Sequence, residues 1–191
     1  GIIGCFSLYP TKNLGALGDA GIVTSNNKKI AKKIRMMREY GWEKKFESHM
    51  YGRNSRLDEL QAGILVEKLK SLDRDNLKRL KIASIYNKAI TSKHVITPKK
   101  RRNSSHVYHL YVIKCKNRDK LLAYLKKNKI FAGIHYPVPI HKQRIYKNKK
   151  LTHLKKTEGV AKNILSLPIY PELKISDAMK ISKLINEFYK T

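Results

Sequence analysis

The stretch Phe6-Ser7-Leu8-Tyr9-Pro10-Thr11-Lys12-Asn13-Leu14-Gly15 separates two apolar, β-prone segments near the start of the chain. Pro10 and Gly15 interrupt the strand pattern, so the segment predicts a strand, a loop and a second strand. Lysine usually lies on solvated helix faces, and a tight loop between buried strands has little reason to be polar unless something binds there. Lys12 is therefore the first candidate functional residue.

The residues that follow predict helices. Asn26 or Asn27 can cap a helix from Lys28 to Tyr40, where Gly41 supplies the stop, and a polar loop follows through Asn54. From Leu57 to about Ser92 the apolar residues keep a helical period. This pattern predicts one long helix, broken near Asp73 to Asn76, that bridges two domains.

The second half of the chain reads as a small α+β domain. A strand from Val107 to Ile113, a helix from Asn117 or Asp119 to Lys127 and a strand from Ile130 to Tyr136 form a predicted β-α-β unit. A short helix from Glu158 to Leu165 and an amphipathic helix from Ser176 to Tyr189 complete it.

The charge of the chain leaves two classes of partner open, nucleic acid and a small phosphorylated substrate. With 191 residues and 41% hydrophobic content the chain is a globular protein. Its 42 Lys and Arg against 14 Asp and Glu give a net charge of +28, so a polyanion has to be considered. Lysine is spread over nearly every predicted helix, which favours a compositional bias over a nucleic-acid surface. No zinc-ligand spacing, basic zipper or RNP motif accompanies the charge, and no metal site is predicted.

The ends and cysteines bear on location. The first residue is Gly1 rather than Met, and the chain starts inside an apolar run that reads as a buried strand with nothing before it to begin a fold, which indicates a fragment. The run is too short for a secretory signal and lacks the charged n-region of one. No stretch approaches the roughly 18 apolar residues of a membrane span. Cys5 and Cys115 lie far apart in strand-like runs, a setting typical of buried free thiols. We therefore expect a cytoplasmic protein.

Further motifs follow Lys12 in order along the chain. They are Gly18-Asp19-Ala20-Gly21, Tyr40-Gly41, Gly52-Arg53-Asn54-Ser55-Arg56-Leu57-Asp58-Glu59-Leu60-Gln61-Ala62, Lys68-Leu69, His109-Leu110-Tyr111, His135-Tyr136-Pro137-Val138-Pro139-Ile140-His141 and Ser166-Leu167-Pro168. Together with the loop around Lys12, this series resembles the DegT/DnrJ/EryC1/StrS family of sugar aminotransferases. The sequence around Lys12 and His135 is similar to that of enzymes that aminate C3 of dTDP-3-keto-6-deoxyhexoses.

The resemblance implies an α/β fold, the carboxyl-terminal part of a fold-type I pyridoxal-phosphate (PLP) transferase. Residues 1–73 would be the end of the PLP-binding large domain with the start of the linking helix. Residues 74–191 would be the small carboxyl-terminal α+β domain. Because the family's amino-terminal half carries much of the cofactor pocket, we expect the chain alone to be inactive and to expose an apolar face or sheet edge.

The resemblance also implies the chemistry of the site. The amine of Lys12 would form a Schiff base with the PLP aldehyde and, once displaced, would act as general base. The Ser7 hydroxyl would bind the cofactor phosphate, and Asn54 would reach that phosphate from the neighbouring subunit of a homodimer. Without the resemblance, Ser7 is an ordinary strand serine and Asn54 a turn or cap residue.

Four further residues are candidates for substrate binding. Tyr9, His135 and Tyr136 match positions near the sugar in the family. Arg56 lies at a predicted helix start, where it can pair with Asp58 or meet a substrate phosphate, and both alternatives stay open.

The implied substrates are a nucleotide-linked keto-sugar and an amino donor, glutamate. No membrane partner is expected, and the resemblance disfavours nucleic acid. Two other functions remain open: a basic module that binds nucleic acid, and a remnant subunit that pairs with an intact aminotransferase. Related sugar dehydratases carry histidine at the cofactor-lysine position, so Lys12 favours transamination.

Overall fold

The computed structural model describes residues 1–146 and 154–190, which divide into two compact units, Gly1–Asp73 and Arg74–Thr191. The boundary falls in the first turn of a helix that spans Leu72–Ala89. Each unit has its own hydrophobic cluster. Their assignment to the two parts of a fold-type I enzyme stays a prediction.

The first unit opens with a two-stranded antiparallel sheet. Strand β1, Gly4–Ser7, pairs with β2, Gly21–Thr24, and the loop between them carries Lys12, which confirms the predicted strand, loop and strand. Every residue of β2 is exposed, as are Phe6 and Ile22, whose side chains are 55% and 48% accessible. An apolar face of this sheet is therefore uncovered within the described residues.

Helix α1, Lys28–Met37, begins as predicted and ends earlier. Asn27 caps it, its Oδ1 accepting hydrogen bonds from the amides of Lys29 and Ile30 at 3.0 and 3.2 Å. The helix stops before Tyr40 because Tyr40 and Gly41 both adopt positive φ, 56° and 77°.

The segment predicted as a polar loop contains a short hairpin instead. Strands β3, Trp42–Lys44, and β4, Glu47–Ser48, pair antiparallel. The rings of Trp42 and Phe46 meet edge to face at 5.1 Å, and this aromatic contact supports the tight turn.

The predicted long broken helix is two helices with an earlier break. Helix α2 spans Glu59–Leu69 and α3 spans Leu72–Ala89, so the break lies at Lys70 and Ser71 rather than at Asp73 to Asn76. The Ser71 hydroxyl donates to the carbonyl of Lys68 at 3.1 Å. This side-chain hydrogen bond satisfies a carbonyl in the last turn of α2, which favours the end of the helix there.

The second unit packs helices on a three-stranded antiparallel sheet. Its strands are β5, Val95–Ile96, β6, Tyr111–Cys115, and β7, Ile164–Leu167, in the order β5-β6-β7. Its helices after α3 are α4 (Arg118–Lys127), α5 (Lys155–Asn163) and α6 (Ile175–Phe188). The largest fully buried side chains are Tyr86, Tyr111, Ile113, Leu121, Leu125, Leu165, Ile181, Ile185 and Ser182.

The predicted β-α-β unit is wrong. Residues 130–136 form no strand; Gly133 alone makes a bridge, to Ser166. β6 pairs with β7, whose first residues had been predicted as the end of a helix, because a short apolar run cannot be assigned by period alone. β6 also begins four residues later than predicted, after Tyr108, whose φ of +44° cannot continue a strand.

Two smaller observations complete the fold. Cys115 is buried, but Cys5 is exposed on β1, so the expectation that both thiols are buried is wrong for Cys5. Within residues 1–146 and 154–190, none of the helices combines the length and apolar character that crossing a bilayer requires.

Candidate functional site

The loop that carries Lys12 is closed by its own backbone. The Lys12 amide donates to the carbonyl of Tyr9 at 2.8 Å, which makes a turn over residues 9–12. The Ala16 amide donates to Leu8 at 2.8 Å, and the Leu8 amide donates to Ala20 at 2.9 Å. Leu8 and Ala16 are buried, so the turn stands on a small apolar base.

Helix α2 holds the same loop from one face. Gln61 accepts a hydrogen bond from the Leu17 amide at 2.9 Å, and the Lys68 ammonium donates to the Gly15 carbonyl. Leu65, between them on that face, is buried against the base of the loop. Residues 61, 65 and 68 recur at helical spacing, so one helix face fixes the position of the turn.

Gly15 allows the loop to fold this tightly. A Cβ at Gly15 would lie 2.4 Å from the carbonyl oxygen of Pro10 and 2.9 Å from that of Tyr9. Both obstacles are backbone atoms and cannot move aside without opening the turn. The loop therefore requires glycine at this position.

Ser7, at the end of β1, and Tyr9 and Lys12, in the turn that follows, are near neighbours along the chain. The Ser7 hydroxyl accepts a hydrogen bond from the Tyr9 amide at 3.4 Å, and both residues are exposed. Lys12 is half-buried, and its ammonium has no hydrogen bond or ion pair within the described part of the chain. The arrangement leaves an amine and a hydroxyl ready to bind a group that the chain itself does not supply.

A groove of about 990 Å³ runs along the exposed side of β1 and β2 in the first unit. Ser7 lines it, and its wall includes Arg35, Arg38, Arg53 and Arg56. No carboxylate lines the groove among the described residues. Its charge thus favours anionic groups.

Arg56 is engaged within this unit. Its Nε lies 2.9 Å from both carboxylate oxygens of Glu39, and its guanidinium stacks over the Tyr40 ring at 5.3 Å. The hydrogen bond from Arg56 lowers the pKa of Glu39. Arg56 pairs with Glu39 rather than with Asp58, which the sequence had offered as a partner.

Asn54 sits on a segment bound to the end of α1. Arg53 donates its amide to Met37 at 2.9 Å, and Ser55 donates to Arg38 at 2.9 Å. Asn54 is exposed, and its side chain makes no hydrogen bond to any residue that the structure describes. It therefore does not contact Lys12 or Ser7 through a hydrogen bond in this chain.

Two glycines set the position of that segment. A Cβ at Gly52 would lie 2.1 Å from the amide nitrogen of Gly41, and a Cβ at Gly41 would lie 1.7 Å from the carbonyl oxygen of Met50. The two backbone segments cross in direct contact, which side chains at either glycine would prevent. Sequence reasoning recorded both glycines as motif residues without seeing that they cross.

His135 and Tyr136 belong to the second unit. The Nδ1 atom of His135 lies 2.9 Å from the hydroxyl of Ser166, and the rings of His135 and Tyr136 meet edge to face at 5.6 Å. Tyr136 is 74% exposed. Both side chains are accessible from the solvent side of this unit.

Residues that hold the site were missed at the sequence level. Gln61 and Lys68 lay within quoted motifs, and their seven-residue separation on a predicted helix was the available signal that they share a face. Within residues 1–146 and 154–190, no cluster of three or more His, Cys, Asp or Glu residues could hold a metal ion.

Comparison with known proteins identifies the family. The profile of the DegT/DnrJ/EryC1/StrS aminotransferase family matches residues 1–186. The chain belongs to this family. Its aminotransferases are PLP-dependent enzymes that act on sugars, and the predicted family is thereby confirmed.

Two curated relatives match nearly the whole of this chain. The "Pleiotropic regulatory protein" of Geobacillus stearothermophilus is 40% identical over 100% of this chain and 52% of the relative. The dTDP-3-amino-3,6-dideoxy-alpha-D-galactopyranose transaminase of Aneurinibacillus thermoaerophilus is 39% identical over 95% of this chain and 55% of its own length. The chain thus spans about half the length of these curated relatives.

A solved structure shares the fold of this chain. The crystal structure of S. venezuelae DesV in complex with a ketimine intermediate superposes with a TM-score of 0.96 at 33% identity. The match covers 100% of this chain and 53% of DesV. Over the matched part, this chain therefore has the fold of DesV.

Proposed function

We propose that this chain is the part of a PLP-dependent aminotransferase that supplies the cofactor lysine, and that the enzyme aminates a nucleotide-linked keto-sugar with glutamate as donor. The observation that carries the proposal is Lys12, an amine with no counter-ion among the described residues, on a turn that α2 holds and that follows the strand of Ser7. Family membership supports the same function.

The donor set fits PLP. An aldehyde needs a primary amine, which Lys12 offers, and a phosphate needs hydroxyl or amide donors, which Ser7 and Asn54 offer. A lysine held in an ion pair would have to break that pair before reacting, and no such pair restrains Lys12 within the described residues. The residues present therefore suit the cofactor.

The chemistry divides between cofactor and protein. When bound, PLP supplies an electron sink for the carbon that gains or loses the amino group. The Nζ atom of Lys12 would hold the cofactor and, as a free amine, would accept a proton from one carbon and return it to another. Because α2 fixes the turn, the amine would make this transfer from a constant position.

Asn54 serves a second subunit in this proposal. Its exposed side chain has no hydrogen bond within the described residues, and its segment is fixed by the crossing of Gly41 and Gly52. An exposed amide on a fixed backbone segment, with no hydrogen bond to the described residues, is suited to a contact outside the chain. We therefore propose that Asn54 binds the cofactor phosphate of the partner in a homodimer.

Three residues remain the proposed sugar-binding residues, each described within its own unit. Tyr9, with 49% of its surface exposed beside Lys12, and Tyr136 offer hydroxyls, and His135 offers an imidazole. Arg56 would have to leave Glu39 to meet a substrate phosphate, so we consider it a weaker candidate for substrate binding than the other three residues. Relatives named for dTDP-3-amino sugars support a dTDP-3-keto-6-deoxyhexose as substrate.

We also propose that the chain by itself is inactive. The sheet of β1 and β2 exposes Phe6, Ile22 and Val23, and a two-stranded sheet is marginally stable unless a further surface covers it. The chain spans about half of its curated relatives, which supports a cofactor site that needs further polypeptide. We also expect the chain by itself to bind PLP only weakly.

Trapping the cofactor tests this function. The protein as its gene encodes it is incubated with PLP, reduced with borohydride and digested, and mass spectrometry locates the cofactor. We expect the label on the peptide that contains Lys12 and its loss in Lys12→Ala, while Lys70→Ala, at an exposed lysine paired with Glu67, keeps it. A label absent from Lys12 or unchanged in Lys12→Ala would reject the proposal.

The net charge of +28 keeps one alternative open, a basic module that binds nucleic acid. Such binding would weaken steeply with salt, because phosphate contacts release counterions. Tight DNA binding at physiological salt combined with no cofactor trapping at Lys12 would favour this alternative over the aminotransferase.

A further inference from the structure

Ser166 is a buried polar residue in the middle of the second unit's sheet. Its backbone pairs with Val112 of β6 and exchanges two hydrogen bonds with Gly133, at 2.9 and 2.7 Å. Its neighbours Leu165 and Leu167 belong to the hydrophobic core. Because side chains alternate along a strand, the Ser166 hydroxyl lies on the opposite face, where it is nevertheless buried, at 4% exposure.

The hydroxyl of Ser166 has one partner. Within the described residues, its only hydrogen bond is to Nδ1 of His135 at 2.9 Å. A buried O–H needs an acceptor, and Nδ1 is the acceptor in reach. Ser166 therefore donates to Nδ1, and the neutral imidazole of His135 carries its proton on Nε2.

Gly133 fixes the ring from a second side. A Cβ at Gly133 would lie 2.9 Å from Cε1 of His135, so the imidazole occupies the space that a side chain would take. Nε2 has no hydrogen-bond partner among residues 1–146 and 154–190, and His135 is exposed. The protonated nitrogen is thus the one left for an external ligand.

The geometry points to Ser166 and Gly133 as positioning residues for His135. They hold its ring so that Nε2–H is a hydrogen-bond donor to an oxygen of the nucleotide-linked sugar. This inference rests on the proposed function for the identity of the ligand. In this orientation His135 recognises an acceptor oxygen and does not act as a base, because its unprotonated nitrogen is occupied by Ser166.

Nitrogen-15 NMR of the full chain tests the ring state, at a pH where an ordinary imidazole is neutral. We expect His135 to show a single tautomer protonated at Nε2, with a nuclear Overhauser contact between ring Hε1 and Gly133 Hα. Ser166→Ala should give a mixture of tautomers and weaken that contact, and Ser166→Thr, which keeps the hydroxyl, should restore both signals. Ser182→Ala, which removes another buried hydroxyl of the unit, should leave His135 unchanged.

Gly133→Ala gives an independent check. Its methyl group should displace the ring and produce the same loss of a single tautomer, while resonances of the core residues Leu165 and Leu167 keep their positions. A proton on Nδ1 in the wild type, or a His135 spectrum that is the same in Ser166→Ala and Gly133→Ala as in the wild type, would overturn the inference.

Kinetics separate this inference from the proposed function. In the active enzyme, Ser166→Ala should raise KM for the nucleotide-linked sugar about five- to tenfold, the effect of one misdirected hydrogen bond, with KM for glutamate unchanged. Ser166→Thr should recover most of it. Cofactor trapping at Lys12 with an unchanged sugar KM in Ser166→Ala would reject the positioning role alone. Failure of trapping, with the NMR result as expected, would instead remove the sugar as the ligand.

Discussion

Lys68 offers a direct test of whether α2 holds the loop that carries Lys12. Its ammonium donates to the Gly15 carbonyl, and the bond is partly buried. Lys68→Met keeps the length and apolar stem of the side chain and removes only the charged donor. The loop should then open more often, although the fold of the rest of the unit is unaffected.

The size of the effect follows from that bond. A hydrogen bond to a charged group stabilises by about 1.5 to 3 kcal/mol. Since about 1.4 kcal/mol corresponds to a factor of ten, the open population of the loop should rise about 10- to 100-fold. Lys70→Met is the matched control, because Lys70 forms an exposed ion pair with Glu67 at 2.7 Å and such pairs contribute little.

Native-state amide hydrogen exchange measures the opening. The amides of Lys12 and Ala16 donate within the loop, so their protection factors report its closed state. In Lys68→Met both should fall by the stated factor, while the Gly133 amide, bonded to Ser166 in the other unit, keeps its protection. Unchanged protection at Lys12 and Ala16, or an equal fall in Lys70→Met, would refute a specific role for Lys68.

Three further measurements test other parts of the structure. Arg79→Met should lower the urea midpoint with an unchanged m value and cost about 3 to 5 kcal/mol, because it deprives the carbonyls of Tyr108, His109 and Ile169 of a buried donor; destabilisation under 1 kcal/mol would contradict this. Asn27→Ala should destabilise the first unit by about 1 kcal/mol through loss of the α1 cap, and full retention of α1 stability by circular dichroism would argue against the cap. A thiol reagent should modify the exposed Cys5 quickly and Cys115 only on unfolding, since burial raises the pKa of the Cys115 thiol; equal rates would show that the second unit opens readily.

Local sequence was sufficient for the turn that carries Lys12. Pro10 and Gly15 mark the break between β1 and β2, and the close approach of Gly15 to the backbone of Pro10 explains why those residue types are needed. Asn27 was likewise readable as a cap, because a cap acts within four residues of itself. Both features depend on interactions between near neighbours in the chain.

The sheet of the second unit could not be read in this way. β5 has two residues and β7 has four, too few to distinguish a strand from a helix by period. The partner of β6 is 56 residues away where Tyr111 pairs with Leu167 and 52 residues away where Ile113 is opposite Leu165, so the choice of β7 over residues 130–136 is a tertiary one. Predicting a β-α-β unit followed the order of the elements and missed this long-range pairing.

The same distinction separates the candidate site residues. Ser7 ends β1, and Tyr9 and Lys12 lie in the turn that follows, so a local motif was enough to predict that they are near neighbours. Arg56 depends on Glu39, 17 residues earlier, because Gly41 and Gly52 cross and align their segments. This contact requires a glycine in each of two segments that are distant in sequence. Neither segment alone predicts that the two will cross. Lys12 and Ser7, which are proposed to bind the cofactor, are therefore placed by local sequence, whereas the contacts that position Arg56 emerge only from the fold.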